Sequence, residues 1–168
     1  EVLPVERVKK ANERLIHYIP SHHLLPPIGR FVEGEIDWDR RYKLMRTHTA
    51  MHILCGVIFR DYAASVTGGD MIESIEVAVN KEVRQARPVK VDILPREVAF
   101  KIPDLIRTKI NLLPPGIQQI RVVEIVGLDI QADGGTHVRN TAEVGRMRIT
   151  DYKSKGKINK RIYIELDE

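Results

Sequence analysis

From Trp38 to Tyr62 the chain contains nothing that would stop a helix. There is no proline, there is one glycine, Gly56, and the stretch is preceded by Asp37, a residue suited to an N-cap. Apolar residues at Leu44, Met51, Ile53, Leu54, Val57 and Ile58 give it a side to bury. The rest of the fold must therefore be built around one helix of about seven turns.

What surrounds that helix is shorter and mixed. Asp70 and Glu73 form a capping-box-like opening for a second helix, with Ile72, Ile75, Val79, Val83 and Ala86 on one stripe. Residues 88–94 alternate as a strand does, residues 96–106 read as a helix broken at Pro103, and residues 120–126 form a strongly apolar strand. Residues 129–140 read as a loop, and residues 144–152 and 160–166 as a hairpin around Ser154-Lys155-Gly156-Lys157. Ahead of the long helix, two β-prone pieces at 14–18 and 30–36 flank a proline-rich, histidine-containing loop at 20–27. The expected fold class is α+β, with an antiparallel sheet packed against the long helix. Residues 1–36 are expected to be the remainder of an N-terminal β module, and residues 37–168 the main domain.

The bulk properties narrow the function classes. A chain of 168 residues with 43% apolar and 30% charged residues can bury a sizeable core, which excludes a disordered segment. The net charge is only +4, yet cations bunch at Arg40-Arg41, at Arg46 and along Lys153, Lys155, Lys157, Lys160 and Arg161. Such runs suit either a solvated face or contact with phosphate, and charge alone favours the former. The single cysteine, Cys55, excludes an internal disulfide, suits a reducing compartment and is expected in the core among apolar neighbours. No apolar run is long enough to span a bilayer and no signal-peptide pattern opens the chain, so a cytoplasmic location is expected. Glu1 leads without a methionine into Val2-Leu3-Pro4-Val5, as in a chain entered part-way through a domain.

Two segments carry chemistry. His48 and His52 are four apart on the long helix, so both imidazoles lie on one face and can reach one ion. By itself this spacing more often belongs to surface or core histidines. It is not the zinc-protease pattern either, because Thr49 stands where a general-base glutamate would follow the first histidine. The second segment is Asp129-Ile130-Gln131-Ala132-Asp133-Gly134-Gly135-Thr136-His137-Val138, in which two glycines permit a sharp turn that lets Asp133 and His137 point to one spot. The bland alternative is a glycine turn with an incidental histidine. His17, His22 and His23 have no motif around them.

The pairing of Arg46-Thr47-His48-Thr49-Ala50-x-His52 with Asp129-x-Gln131-x-x-Gly134-Gly135-Thr136-His137-Val138 resembles the editing domain of alanyl-tRNA synthetase and its free-standing relatives, the AlaX proteins. Residues 36–41, Thr141-Ala142-Glu143-Val144-Gly145 and residues 154–162 resemble the same family, so the likeness runs in order along nearly the whole chain. It implies a zinc-dependent deacylase acting in trans on alanine tRNA wrongly charged with serine, and also with glycine. Carried over by position, His48, His52 and His137 are zinc ligands. Relatives commonly place cysteine at the fourth position, where this chain has Asp133, expected either to bind the ion or to hydrogen-bond beside it. A carboxylate keeps the charge and binds zinc at about 2.0–2.2 Å, but is a harder ligand that discriminates less between metals.

Thr136 and Gln131 are the candidate hydrogen-bonding residues near the site, with Thr67 a weaker one, and turn stabilisation is the alternative for each. Arg46, Lys155, Lys157, Lys160 and Arg161 are the candidate contacts to tRNA phosphates. No evident general base accompanies the histidines. The upstream glycine-rich motif of larger AlaX proteins is absent, and so is a strand that relatives show between Gly69 and Asp70. Residues that select the serine hydroxyl are therefore expected to lie outside the sequence. The competing readings are a non-catalytic tRNA-binding module with a structural metal, an editing domain of a full alanyl-tRNA synthetase, and threonyl-type editing. The Gly-Gly-Thr-His form and the Asp-Trp-x-Arg-Arg lead-in favour the alanine system. The sequence leaves the oligomeric state open.

Overall fold

The computed structural model describes residues 2–12, 14–63, 70–107, 113–154 and 160–167, the side chain of Asp70 apart. The chain divides into two units, residues 1–36 and 37–168. The first contains an antiparallel ladder of β1 (Arg7–Ala11) and β2 (Arg14–Tyr18), with Arg7 opposite Tyr18 and Ala11 opposite Arg14. Residues 30–36, expected as a strand, form none. Gly29 there takes φ +83 and Phe31 is fully exposed, so no ladder partner and no buried face hold the segment extended.

The second unit is organised by α1 (Trp38–Tyr62). Asp37 caps it by accepting the Arg40 N–H at 3.0 Å, and Ala63 ends it in the left-handed conformation. Its buried line runs through Thr49, Ala50, Ile53, Leu54 and Val57, while Met51, Cys55 and Phe59, four apart, form an outward line. Cys55 is thus exposed rather than in the core, because its helical phase and not its neighbours in sequence decides which way it faces. α2 (Asp70–Arg84) packs Ile75, Val79 and Val83 into the same core. Ala86 does not extend that stripe, since it lies past the helix end with φ 48.

A three-stranded antiparallel sheet in the order β3 (Val89–Pro95), β4 (Gln119–Ile125), β5 (Asp129–Ala132) follows. β4 is central, which is why its Ile120, Val122, Val123 and Ile125 are all buried. The segment expected to be helical from 96 to 106 contains only the single turn α3 (Arg96–Ala99). Asp104 then takes φ 55, and Pro103 has no N–H with which to continue a helix. β5 replaces the first part of the expected loop at 129–140, because Asp129–Ala132 finds a full set of ladder partners on β4. A 3-10 turn at Thr141–Val144, closed by a capping box between Asn140 and Glu143, leads into the hairpin of β6 (Met147–Ser154) and β7 (Lys160–Leu166).

Polar side chains of α2 hold the start of β6. Asn80 accepts the Met147 N–H at 3.0 Å and donates to the Met147 carbonyl at 2.7 Å, and Glu76 accepts the Ile149 N–H at 2.7 Å. The architecture is α+β, as the sequence leads one to expect. Among the described residues no helix is long and apolar enough to cross a membrane.

Candidate metal centre

Gly56 explains how the far segment reaches the helix histidines. A Cβ there would lie 2.9 Å from Leu128 Cγ and 3.0 Å from Asp129 Cβ, so only glycine lets the β4–β5 turn lie this close to α1. Asp129, the first residue of β5, is consequently delivered to His52, one helical turn before Gly56. β5 then carries the chain to Asp133, whose backbone is pinned to β4 by its N–H to the Arg121 carbonyl at 3.1 Å and by its own carbonyl, which accepts from Arg121 Nη1 at 2.8 Å.

Beyond this point four of the residues singled out in the sequence come together. His48, His52, Asp133 and His137 each offer a donor atom, all within 4.8 Å of one another. Asp133 Oδ2 is 3.0 Å from His48 Nε2 and 3.4 Å from His52 Nε2, and its Oδ1 is 3.7 Å from His137 Nε2. The edge of a tetrahedron with ligands at about 2.0–2.1 Å from a central ion is about 3.3 Å, which these separations bracket. Oδ1 also accepts the Gly135 N–H, closing the small turn that aims the carboxylate at the imidazoles. Gly135 is needed for a second reason: a Cβ on it would lie 2.1 Å from His48 Cε1.

The electrostatics suit a cation. Burial works against charge on Asp133, but the Gly135 N–H and the three imidazoles outweigh it and hold its carboxyl below the usual range. Burial, reinforced by His52 and His48, pushes His137 down to about 4, so at neutral pH its ring is uncharged and keeps a lone pair. Its Nε2 is buried without a hydrogen-bond partner, an orphaned acceptor such as a metal would satisfy. The exposure of the side chains falls from 34% at His48 to 8% at His52 and 2% at His137, so the cluster opens on the His48 side.

The remaining candidates fall elsewhere. Gln131 donates from Nε2 to Asp129 Oδ2 at 2.8 Å and so braces a carboxylate behind His52. Thr136 is exposed beside His137. Arg46, expected at phosphate, is turned inward: its Nε and Nη2 donate to the Val144 carbonyl at 3.0 and 2.9 Å, and Nη2 donates also to the Asp167 carbonyl. Sequence shows its charge but not the two carbonyls that claim it. Lys160 and Arg161 open β7, the former half-buried and the latter exposed. Lys155, Lys157, Thr67 and the join at Gly69 lie outside the described residues.

Three participants were not singled out by sequence reasoning. Asp129 is fully buried, its carboxylate 3.0 Å from His52 Nδ1 and 3.0 Å from Arg107 Nη1. Thr49, also fully buried, places Oγ1 3.1 Å from His137 Nδ1. Arg107 lies over the Phe59 ring at 4.0 Å. The alternation of Asp129 and Gln131, two apart, was the available signal, because on a strand it puts both on one face.

Known proteins are similar to this chain in sequence. The family model described as the threonyl and alanyl tRNA synthetase second additional domain matches residues 120–163. The alanyl-tRNA editing protein AlaX-M of Saccharolobus solfataricus is 38% identical over 97% of this chain and 75% of its own length. The chain belongs to the alanyl-tRNA editing protein family. AlaX-M of Methanosarcina barkeri is 33% identical over 95% of the chain and 74% of its own length. Alanine–tRNA ligase of Pyrobaculum aerophilum, a much longer protein, matches at 34% identity over 84% of the chain but only 18% of the ligase. The AlaX likeness thus takes in both histidine segments as well as the sheet between them.

Proposed function

We propose that the four-residue cluster holds zinc and that the chain is a trans-acting deacylase for alanine tRNA mischarged with serine, with glycine as a second substrate. The observation that carries this reading is the convergence of three imidazole Nε2 atoms on the Asp133 carboxylate, with that of His137 buried and otherwise unpartnered. Membership of the editing family supplies the substrate class: an ester between a small amino acid and the terminal ribose of tRNA. Zinc bound there would supply a Lewis acid to polarise the attacking water or to orient the amino acid.

The chain's own residues do the rest. His48, the exposed member, marks the mouth by which the aminoacyl end enters. Thr136, exposed and next to His137 in sequence, is the proposed hydrogen-bonding contact to substrate. Asp129 is sealed behind His52 and Arg107 and is not positioned to take a proton from water. Deacylation then relies on the metal, positioned water and the hydroxyls of the substrate. The strand residues Lys160 and Arg161, with Lys155 and Lys157 before them in sequence, are the proposed contacts to tRNA phosphate.

The test is deacylation of alanine tRNA charged with serine, glycine or alanine, with metal analysis of the same protein. Serine release by wild type that disappears in His137→Ala is the expected result. Background rates on all three substrates would overturn the enzyme. One observation favours a second reading: with Asp133 included the cluster offers four donors, as closed structural sites do. A metal-loaded but inactive wild type that retains tRNA binding would establish that reading instead.

A further inference from the structure

We propose that Thr49 and Asp129 are positioning residues that fix the ring tautomers of His137 and His52, so that each presents a bare Nε2 to the metal. This rests on the reading of the cluster as a metal centre. A neutral imidazole carries its single proton on either nitrogen, and only the other nitrogen can ligate. What decides between them is the group that each Nδ1 faces.

For His52 that group is a carboxylate. Asp129 Oδ2 lies 3.0 Å from Nδ1 and takes a second hydrogen bond from Gln131 Nε2 at 2.8 Å, while Oδ1 faces the Arg107 guanidinium at 3.0 Å. A carboxylate with a guanidinium on one oxygen offers only acceptors, so the proton is on His52 Nδ1 and the lone pair on Nε2. For His137 the group is the Thr49 hydroxyl, 3.1 Å from Nδ1, whose oxygen also accepts the Val138 N–H at 3.3 Å. A ring proton on Nε2 would leave a buried N–H without a hydrogen bond, Asp133 Oδ1 being 3.7 Å away. A proton on Nδ1 is satisfied by Thr49. Two bare lone pairs facing one carboxylate repel unless a cation lies between them.

The arrangement also divides the ligands. Thr49 follows His48 and precedes His52 by three on α1, so one helical turn carries two ligands and the residue that orders the third. His48 is different: among the described residues no hydrogen bond holds its Nδ1, and its ring is the exposed one. Two ligands are locked and the one at the mouth can adjust.

The experiment measures metal affinity by competition with a chromophoric chelator, for Zn²⁺ and for Co²⁺, whose visible absorption reports the ligand geometry. Thr49→Val keeps the shape and removes the acceptor; Asp129→Asn removes the charge and allows an amide donor to face Nδ1. Each should weaken binding by about 10- to 100-fold and change the Co²⁺ spectrum, while Thr49→Ser, which restores the hydroxyl, should bind near the wild-type affinity. Circular dichroism without metal confirms that each variant folds. If both variants bind like wild type with the same spectrum, the proposal is overturned. Equal losses in Thr49→Ser and Thr49→Val overturn the part assigned to Thr49. A wild type that takes up neither metal overturns the metal-centre reading itself.

Discussion

Asp133 offers a carboxylate oxygen to the three imidazoles, and the surrounding residues are arranged to keep that oxygen in place. Its Oδ1 is tied to the Gly135 N–H, which leaves Oδ2 towards His48 and His52. Asp133→Cys should therefore preserve the site and raise preference for Zn²⁺ over Mn²⁺, read from competition binding, because thiolate is the softer ligand. Unchanged selectivity would mean that residue 133 does not touch the ion. Gly135 makes a sharper demand. Alanine there would drive a methyl group into His48 Cε1, at 2.1 Å, and either the ring or the loop must move. Gly135→Ala should cut deacylation about 100-fold, the cost of a displacement near 1 Å, with far-UV circular dichroism unaltered.

At the scale of elements, close approach decides what sequence shows and what it hides. The long helix and its cap were legible at Asp37 and Trp38, because capping and periodicity are local. β5 was not, since Asp129–Ala132 becomes a strand only by pairing with β4, and Gly134-Gly135 made the region read as a loop. The convergence of His48, His52, Asp133 and His137 was legible through spacing and family likeness, whereas Thr49, Asp129 and Arg107 depend on which buried atoms meet across α1 and the sheet. Two substitutions test these contacts. Gly56→Ala should destabilise the fold by about 1–3 kcal/mol through overpacking against Leu128 and Asp129, seen as a lower urea midpoint. Glu82, 2% exposed on α2, accepts from Arg60 on α1 at 2.7 Å and from Arg87 at 2.5 Å. Burial alone would lift its carboxyl, but the two guanidinium groups prevail and hold it below 4.5. The stability it adds is thus present above that ordinary value and is lost as pH falls through the lower folded one. Glu82→Gln should cost about 3 kcal/mol near neutrality and flatten the acid limb of stability measured by urea unfolding between about pH 7 and pH 3.

For the whole molecule, a metal held by the proposed cluster would be a cross-link as well as a centre of chemistry. His48 and His52 come from α1, Asp133 and His137 from beyond β5, and Asp133 lies 81 positions after His52 in the chain. Residues so far apart share an ion only when α1, the β4–β5 turn and the glycine loop are all in place, so the folded chain binds and the unfolded chain, with scattered ligands, binds far more weakly. Free Zn²⁺ at a hundred times its dissociation constant should then add about 2.7 kcal/mol, or about 5–10 °C of melting temperature for a chain of this size. Calorimetry with and without the metal measures it, and a chelator should reverse it. Removing one ligand gives the decisive comparison. His137→Ala also alters the metal-free melting temperature through the cavity it leaves, so the zinc-dependent shift within each protein is the quantity to compare. That shift should shrink sharply in His137→Ala and stay whole in His22→Ala, whose ring lies tilted against that of His23 in the other unit, 4.3 Å between centroids. A shift that survives His137→Ala but falls with His22→Ala would place the metal on the His22–His23 pair, and the cluster on α1 would lose its role.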